Sequence, residues 1–268
     1  MTNPFGFESG DPGVMVSQQD ALEFLEALPA NSINMLITDP AYNGMNQHLQ
    51  LGSGRIVGDY AERGNGQWFT EFDDSAENYH RLLTQIHRVL KDDSPIFLMF
   101  DPYSLLTLAP MIREFFDVKN LITWDKMMLG MGHHWRRRSE FAIYATKGKF
   151  KMARRDAPDI IRIKRIHRAD YPTQKPVELF EAMIAACYGD TASKDIIICD
   201  PFMGSGSTAI AAIRQGCSFV GCDIADESIA MTLERAASVL EGDGDPGQPE
   251  SLVNEYYQKE FWVDSRVI

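Results

Sequence analysis

The chain has little cysteine: four residues in 268, at Cys187, Cys199, Cys217 and Cys222, with no CxxC pair. That scarcity excludes a disulfide scaffold, and two of the four lie in apolar, strand-like runs. Buried, reduced thiols in a cytosolic protein are expected, with no metal held by Cys217 and Cys222. No run of 18 or more apolar residues occurs, so no membrane-spanning helix is expected. Residues 1–13 lack the basic start and apolar centre of a secretory signal and read as a flexible, Gly-, Pro- and acid-rich N-terminus. A cytoplasmic protein fits these absences. An excess of positive charge is also missing. The formal charge of -12 excludes a protein that coats nucleic acid over its whole surface.

What is present is ordinary in amount and uneven in placement. Hydrophobic content of 44% and charged content of 24% suit a globular domain, and the length allows a sizeable core. From Arg136 to Arg168 there are twelve basic residues and only three acids. That segment is about +9 and the remainder about -21. A basic band on an acidic body suits one face that meets phosphate. Its candidate contacts are Arg136, Arg137, Arg138, Lys147, Lys149, Lys151, Arg154, Arg155, Lys164 and Arg165. The aromatics Trp135, Phe141, Tyr144 and Phe150 are interleaved with them. The adjacent His133 and His134 cannot face one way on a helix or strand, so no metal site is assigned to them.

Strand and helix patterns alternate along the chain. Strands are predicted at 14–16, 33–37, 95–100, 118–124, 140–146, 195–199 and 218–222. Helices are predicted at 21–28, from Ser75, at 105–116, 176–188, 207–215 and 226–240. Near-continuous apolar strands between amphipathic helices imply an α/β fold, a mainly parallel sheet covered on both faces. Residues 43–66 form a long Gly-rich connection, and 242–249 read as a flexible break. The aromatic tail 251–268 is too apolar for a disordered tag and is expected to pack back on the body or on a partner.

Two loops carry chemistry. Thr38-Asp39-Pro40-Ala41-Tyr42 follows the first buried strand. Its carboxylate (Asp39) and main-chain carbonyl (Pro40) could accept both protons of a planar amine, and Tyr42 could stack on the ring that bears it. Such a base must leave the duplex to be reached. About 160 residues later, Asp200-Pro201-Phe202-Met203-Gly204-Ser205-Gly206-Ser207-Thr208 joins a strand to a helix. Glycines there let backbone approach a ligand at the carboxyl edge of a sheet. The loop has no lysine, which disfavours a phosphate-binding P-loop. Asp223 ends the next strand, where an acid binds ribose hydroxyls in dinucleotide folds. Together the loops point to methyl transfer onto a nucleic-acid base, by positioning and electrostatics and without a covalent nucleophile or metal.

The order and content of these motifs resemble the permuted, β-class amino DNA methyltransferases that use S-adenosylmethionine. The resemblance covers about residues 14–240. It rests on residues 20–42, Arg88-Val89-Leu90-Lys91, residues 121–126 and 139–148, Pro172-Thr173-Gln174-Lys175-Pro176, residues 200–208 and Gly221-Cys222-Asp223-Ile224. The chain departs from the family pattern at Ala41, Tyr171 and Ser207. The resemblance implies a Rossmann-like fold with circularly permuted motifs. It implies that Asp39, Pro40 and Tyr42 hold the target base. Asp200, Phe202, Gly204, Ser205, Gly206, Ser207 and Thr208, with Asp39, would form the methionine side of the cofactor site. Asp223 would bind the ribose, with Ile224 and Asp20 near the adenine, and Thr173, Gln174 and Lys175 would close the pocket.

A single methyltransferase domain over 14–240 is therefore expected. It would have a catalytic half at 14–146, a short basic recognition segment at 147–171 and a cofactor half at 172–240, followed by an extension over 241–268. Double-stranded DNA is the implied partner, with a homodimer and a cognate restriction endonuclease also implied. Asp at the head of the tetrapeptide fits adenine N6; cytosine N4, RNA or a protein amide as substrate, and an inactive DNA-binding homologue, are the alternatives.

Overall fold

A computed structural model of the chain describes residues 4–7, 12–42, 72–130, 135–166, 171, 173–189 and 193–247. The expected loop 43–66, the tail 251–268 and the His133-His134 pair lie outside the described residues. In chain order the elements are β1 (Val14–Gln18), α1 (Ala21–Ala27), β2 (Met35–Thr38), α2 (Ala76–Val89), β3 (Ser94–Phe100), α3 (Pro102–Ile112) and β4 (Asp117–Asp125). They continue as β5 (Ser139–Lys147), β6 (Ile160–Arg162), α4 (Val177–Tyr188), β7 (Ile197–Asp200), α5 (Ser207–Arg214), β8 (Ser218–Asp223) and α6 (Asp226–Glu241). Among the described residues, no helix is long and apolar enough to cross a membrane.

The eight strands form one sheet in the order β1-β8-β7-β2-β3-β5-β4-β6. All pairings are parallel except those of β5, which runs antiparallel to both β3 and β4. Period-two alternation divides each central strand between two cores. Leu36, Ile96, Leu98 and Phe100 enter the core that receives Leu25 of α1, Leu82 and Ile86 of α2 and Leu108 of α3. Met35, Ile37, Phe97 and Met99 enter the opposite core, with Leu179 and Met183 of α4, Ile210 of α5 and Ala236 of α6. Burial on both faces explains why β2, β3 and β7 read as unbroken apolar runs.

Local signals position the helices. Asp20 and Asp101 cap α1 and α3 through side-chain oxygens, and Ser75 caps α2. Gly216 takes a φ of 75° just after α5, as its place past the helix end predicts. Two expectations change. The basic segment 147–171 contributes the edge strand β6, whose signal is the short β-branched run at Ile160-Ile161. And residues 242–247 are not a loose break. The Arg235 guanidinium grips Asp245 through Nε at 2.8 Å and Nη2 at 2.7 Å, and Gln174 Nε2 donates to the Gly247 carbonyl at 2.6 Å. Arg235 is only 1% exposed, so this ion pair is interior.

Candidate active site

β2 and β7 lie side by side, with Met35 beside Ile198 and Leu36 beside Cys199. From β2 the sheet grows one way to β3, and from β7 the other way to β8. Both motifs thus leave the sheet at its carboxyl edge, at the point where the strand order reverses, the usual ligand crevice of open α/β sheets. The Thr38 hydroxyl joins them directly, donating to Asp200 Oδ1 at 2.7 Å across 162 residues of sequence.

Asp200 also accepts from the Phe202 N–H at 3.0 Å and, on its other oxygen, from the Thr208 hydroxyl at 2.8 Å. It is 3% exposed. Burial pushes its carboxyl up to about 7, against three donors that favour the ionised form. Both oxygens are thus engaged inside the protein, bracing the two loops and the head of α5.

The glycine-rich loop turns through Gly204 (φ 50°) and Gly206 (φ 78°). A Cβ at Gly206 would fall 2.4 Å from Thr232 Oγ1, so this glycine lets α6 approach from behind. Gly204 donates its N–H to Asp223 Oδ2 at 3.0 Å, and Ala225 donates to Asp223 Oδ1 at 2.9 Å. The Ser207 hydroxyl donates to the Lys175 carbonyl at 2.7 Å, and Arg235 Nη1 donates to the Ser205 carbonyl at 2.5 Å.

The expected cofactor residues therefore separate into two groups. Asp200, Ser205, Gly206, Ser207, Thr208 and Gln174 are buried and hold the cradle together. Phe202, Gly204, Asp223, Thr173, Lys175 and Asp39 are partly exposed, and Ile224 is 46% exposed. Asp20, whose Oδ1 caps α1 at Leu22 N, is exposed beside the end of β8, where Gln19 donates to the Asp223 carbonyl.

At the other loop, the Pro40 carbonyl accepts the Tyr42 N–H at 3.0 Å, which closes a tight turn. Tyr42 lies deeper than an open stacking platform would. It is 1% exposed, stacked on Phe100 with centroids 5.1 Å apart and planes at 11°. The Asp39 carboxylate bonds the Lys175 ammonium, which also lies 3.6 Å from Glu140 Oε2. Glu140 Oε1 accepts from Lys126 Nζ at 3.1 Å. Burial raises the Asp39 carboxyl above its usual value, with Lys175 opposing. Burial alone would lower the Lys175 amine; Asp39 and Glu140 outweigh it and hold it well above its usual value. Sequence reasoning did not find Glu140, Lys126, Arg235 or Asp245, because each matters only through a partner distant in the chain.

The basic band does not form one face. β5 runs antiparallel, so Arg136, Arg137 and Arg138 at its start lie at the carboxyl edge, where Arg138 pairs with Asp125 at 2.6 Å. Arg137 lies over the Tyr103 ring, 5.1 Å from its centroid. Lys147 at its other end lies at the opposite edge, donating to the Leu90 carbonyl at 2.8 Å. Lys149 and Lys151 follow it, and Arg154 joins Ala186 near the far end of α4. β6 then returns parallel to β4 and brings the exposed Lys164 and Arg165 back to the carboxyl edge.

Comparison with known proteins adds to this geometry. The type II methyltransferase M2.MboI of Moraxella bovis is 26% identical over 253 residues, spanning 85% of this chain and 89% of that protein. The crystal structure of the M1.HpyAVI–SAM complex superimposes with a TM-score of 0.56 at 22% identity, over 83% of this chain and 99% of its own. The cytosine-N4-specific PvuII DNA methyltransferase does so with a TM-score of 0.56 at 16% identity, over 84% and 88%. These structural likenesses establish the Rossmann-like fold. The family model for DNA methylases matches residues 33–234. A match over well above half of the chain decides its kinship: it belongs to the N6/N4 DNA methylase family, as a DNA methyltransferase.

Proposed function

We propose that the protein transfers a methyl group from S-adenosylmethionine to the exocyclic N6 amine of adenine in double-stranded DNA, directly and onto a base rotated out of the helix. The observation that carries this reading is the adjacency of Asp39 on β2 and the glycine-rich loop on β7, tied by the bond from Thr38 to Asp200. The cradle fits the cofactor in its chemistry. Gly204 is partly exposed in a left-handed turn, Asp223 keeps acceptor capacity for ribose hydroxyls, and Ile224 offers apolar surface beside it. Asp20, Asp39 and Asp223 make the part of the edge beside the glycine-rich loop acidic, which suits a sulfonium. When bound, the cofactor supplies an electrophilic methyl group. Asp39 accepts one amine N–H and takes the proton released as the nitrogen gains its methyl group. The Pro40 carbonyl, with a second lone pair beyond that used by Tyr42, accepts the other N–H. Stacking of Tyr42 on the base requires that its ring, 1% exposed, be uncovered on the face away from Phe100.

Asp39 at the head of the tetrapeptide supports adenine over cytosine. The deciding experiment incubates the protein with tritiated S-adenosylmethionine and unmethylated duplex DNA, then separates the nucleosides. The label is expected in N6-methyl-2′-deoxyadenosine; label in N4-methyl-2′-deoxycytidine would refute the choice of base, and no label would refute the enzyme. The proposed domain runs over 14–240, with Asp245 and Gly247 tied to it. The type II designation of the Moraxella relative supports a cognate restriction endonuclease, and the short recognition segment supports a homodimer.

The split of the basic band gives a contrast. Lys164→Glu with Arg165→Glu is expected to weaken DNA binding more than about tenfold and to reduce the salt slope by about one per residue, as lost phosphate contacts do. Lys149→Glu with Arg155→Glu, at the far edge, is expected to change it less than about twofold. Fluorescence anisotropy across a salt series measures both. Equal losses would return the band to a single DNA face.

A further inference from the structure

Four charged side chains alternate along the carboxyl edge: Asp39 after β2, Lys175 before α4, Glu140 in β5 and Lys126 after β4. Lys175 stands between two carboxylates. It bonds Asp39 and lies 3.6 Å from Glu140, just outside hydrogen-bond reach. Its side chain is 12% exposed, so water is a poor substitute partner. Glu140 is held from its other side by Lys126 at 3.1 Å. The Glu140 carboxyl is kept below its usual value: burial would raise it, and the Lys175 and Lys126 ammoniums outweigh that.

This arrangement presents a conflict for the proposed chemistry. Asp39 is to accept an amine proton, yet in this state one of its oxygens is covered by an ammonium. An ammonium on that oxygen competes with the amine for its lone pairs and makes the carboxylate a weaker base. An ammonium has three donors on a flexible stem, and the second carboxylate is within a small side-chain movement. We propose that Glu140 is a positioning residue: it draws the Lys175 ammonium off Asp39 as the target amine enters, leaving the Asp39 carboxylate free to accept. The movement transfers no proton and breaks no covalent bond. The ammonium exchanges one carboxylate partner for another, and Lys126 keeps Glu140 within reach. This inference rests on the proposed role of Asp39 as holder of the amine.

Glu140→Gln keeps the size of the side chain and one acceptor oxygen and removes its charge. Asp39 is then the only carboxylate left to Lys175 among the described residues. The single-turnover methylation rate at saturating DNA and cofactor is expected to fall about tenfold or more. Cofactor affinity is expected to change less than about twofold, and Glu140→Asp is expected to restore part of the rate. The acid limb of the rate profile should move to lower pH, because Glu140 no longer raises the Asp39 carboxyl. The other charged groups acting on Asp39, Asp101 at the head of α3 and Asp200 at the end of β7, are acids that the variant leaves in place. A merely structural Glu140 would lower the melting temperature and leave the single-turnover rate of the folded variant near wild type.

Asp39→Ala is measured beside it. If Asp39→Ala is inactive while folded Glu140→Gln keeps the wild-type rate and acid limb, the role of Glu140 is overturned and that of Asp39 stands. If Asp39→Ala keeps the wild-type rate, the reading of Asp39 itself fails. Should Glu140→Gln not fold, Lys126→Met carries the same test, since it unhooks Glu140 but leaves its charge. A rate reduced severalfold at unchanged cofactor affinity supports the proposal, and an unchanged rate overturns it.

Discussion

Asp39→Ala is expected to lower the single-turnover rate of methyl transfer, at saturating cofactor, by roughly 10²- to 10³-fold. The substitution removes the acceptor for the amine proton and, with it, the closest counter-ion of Lys175. The remaining ammonium then faces a nitrogen that gains positive charge as it reacts, so two effects act in one direction. Asp39→Asn keeps a carbonyl acceptor but not the charge and should lose less. The Thr38–Asp200 brace and the glycine-rich loop do not depend on the Asp39 side chain, so the fold should persist. Rapid-quench measurement at saturating DNA and cofactor reads the effect. A rate within about tenfold of wild type would remove Asp39 from the chemistry.

Asp245→Ala is expected to destabilise the protein by about 3–5 kcal/mol, a large fraction of the stability of a typical domain. It leaves the Arg235 guanidinium, 1% exposed, without the only carboxylate that pairs with it among the described residues. Arg235 also donates to the Ser205 carbonyl at 2.5 Å, so its displacement should loosen the glycine-rich loop and weaken cofactor binding. Replacing both partners, Arg235→Met with Asp245→Leu, should cost less than Asp245→Ala alone, because no buried charge is stranded. Urea melts of the two variants measure the difference, and a loss below about 1 kcal/mol for Asp245→Ala would mean that the pair does not matter. The Asp245 carboxyl is held below its usual value: burial would raise it, and Arg235 outweighs that. Its contribution is therefore complete above the unfolded pKa of about 4 and is lost as pH falls through the lower folded value.

Much of the fold was readable because its signals are local. Continuous apolar runs in residues 95–100 and 218–222, the cap at Ser75 and Gly216 past α5 depend on neighbours within a few residues. β6 escaped because three residues in a basic stretch carry too little apolar signal, and they form a strand only against β4. The break expected at 242–249 is not loose over its described residues, 242–247, for a related reason. Its Gly and Pro content describes the backbone, whereas its fixed position comes from Arg235, ten residues earlier, and from Gln174, on a different loop.

The candidate site divides along the same line. Residue type and order alone singled out Asp39 as the proposed amine acceptor, a glycine turn at 204–206 and an acid at 223, because these properties belong to single side chains and short turns. Only the folded chain decided that β2 and β7 are neighbours, that Tyr42 stacks on Phe100, that the basic band divides between two sheet edges and that Lys175 stands between Asp39 and Glu140. Strand direction decided the third of these, since the antiparallel β5 carries its two ends to opposite edges. Distance decided the last. An ammonium acts on whatever carboxylate lies within a few ångströms, and nothing in a spacing of 136 residues reveals which one that is.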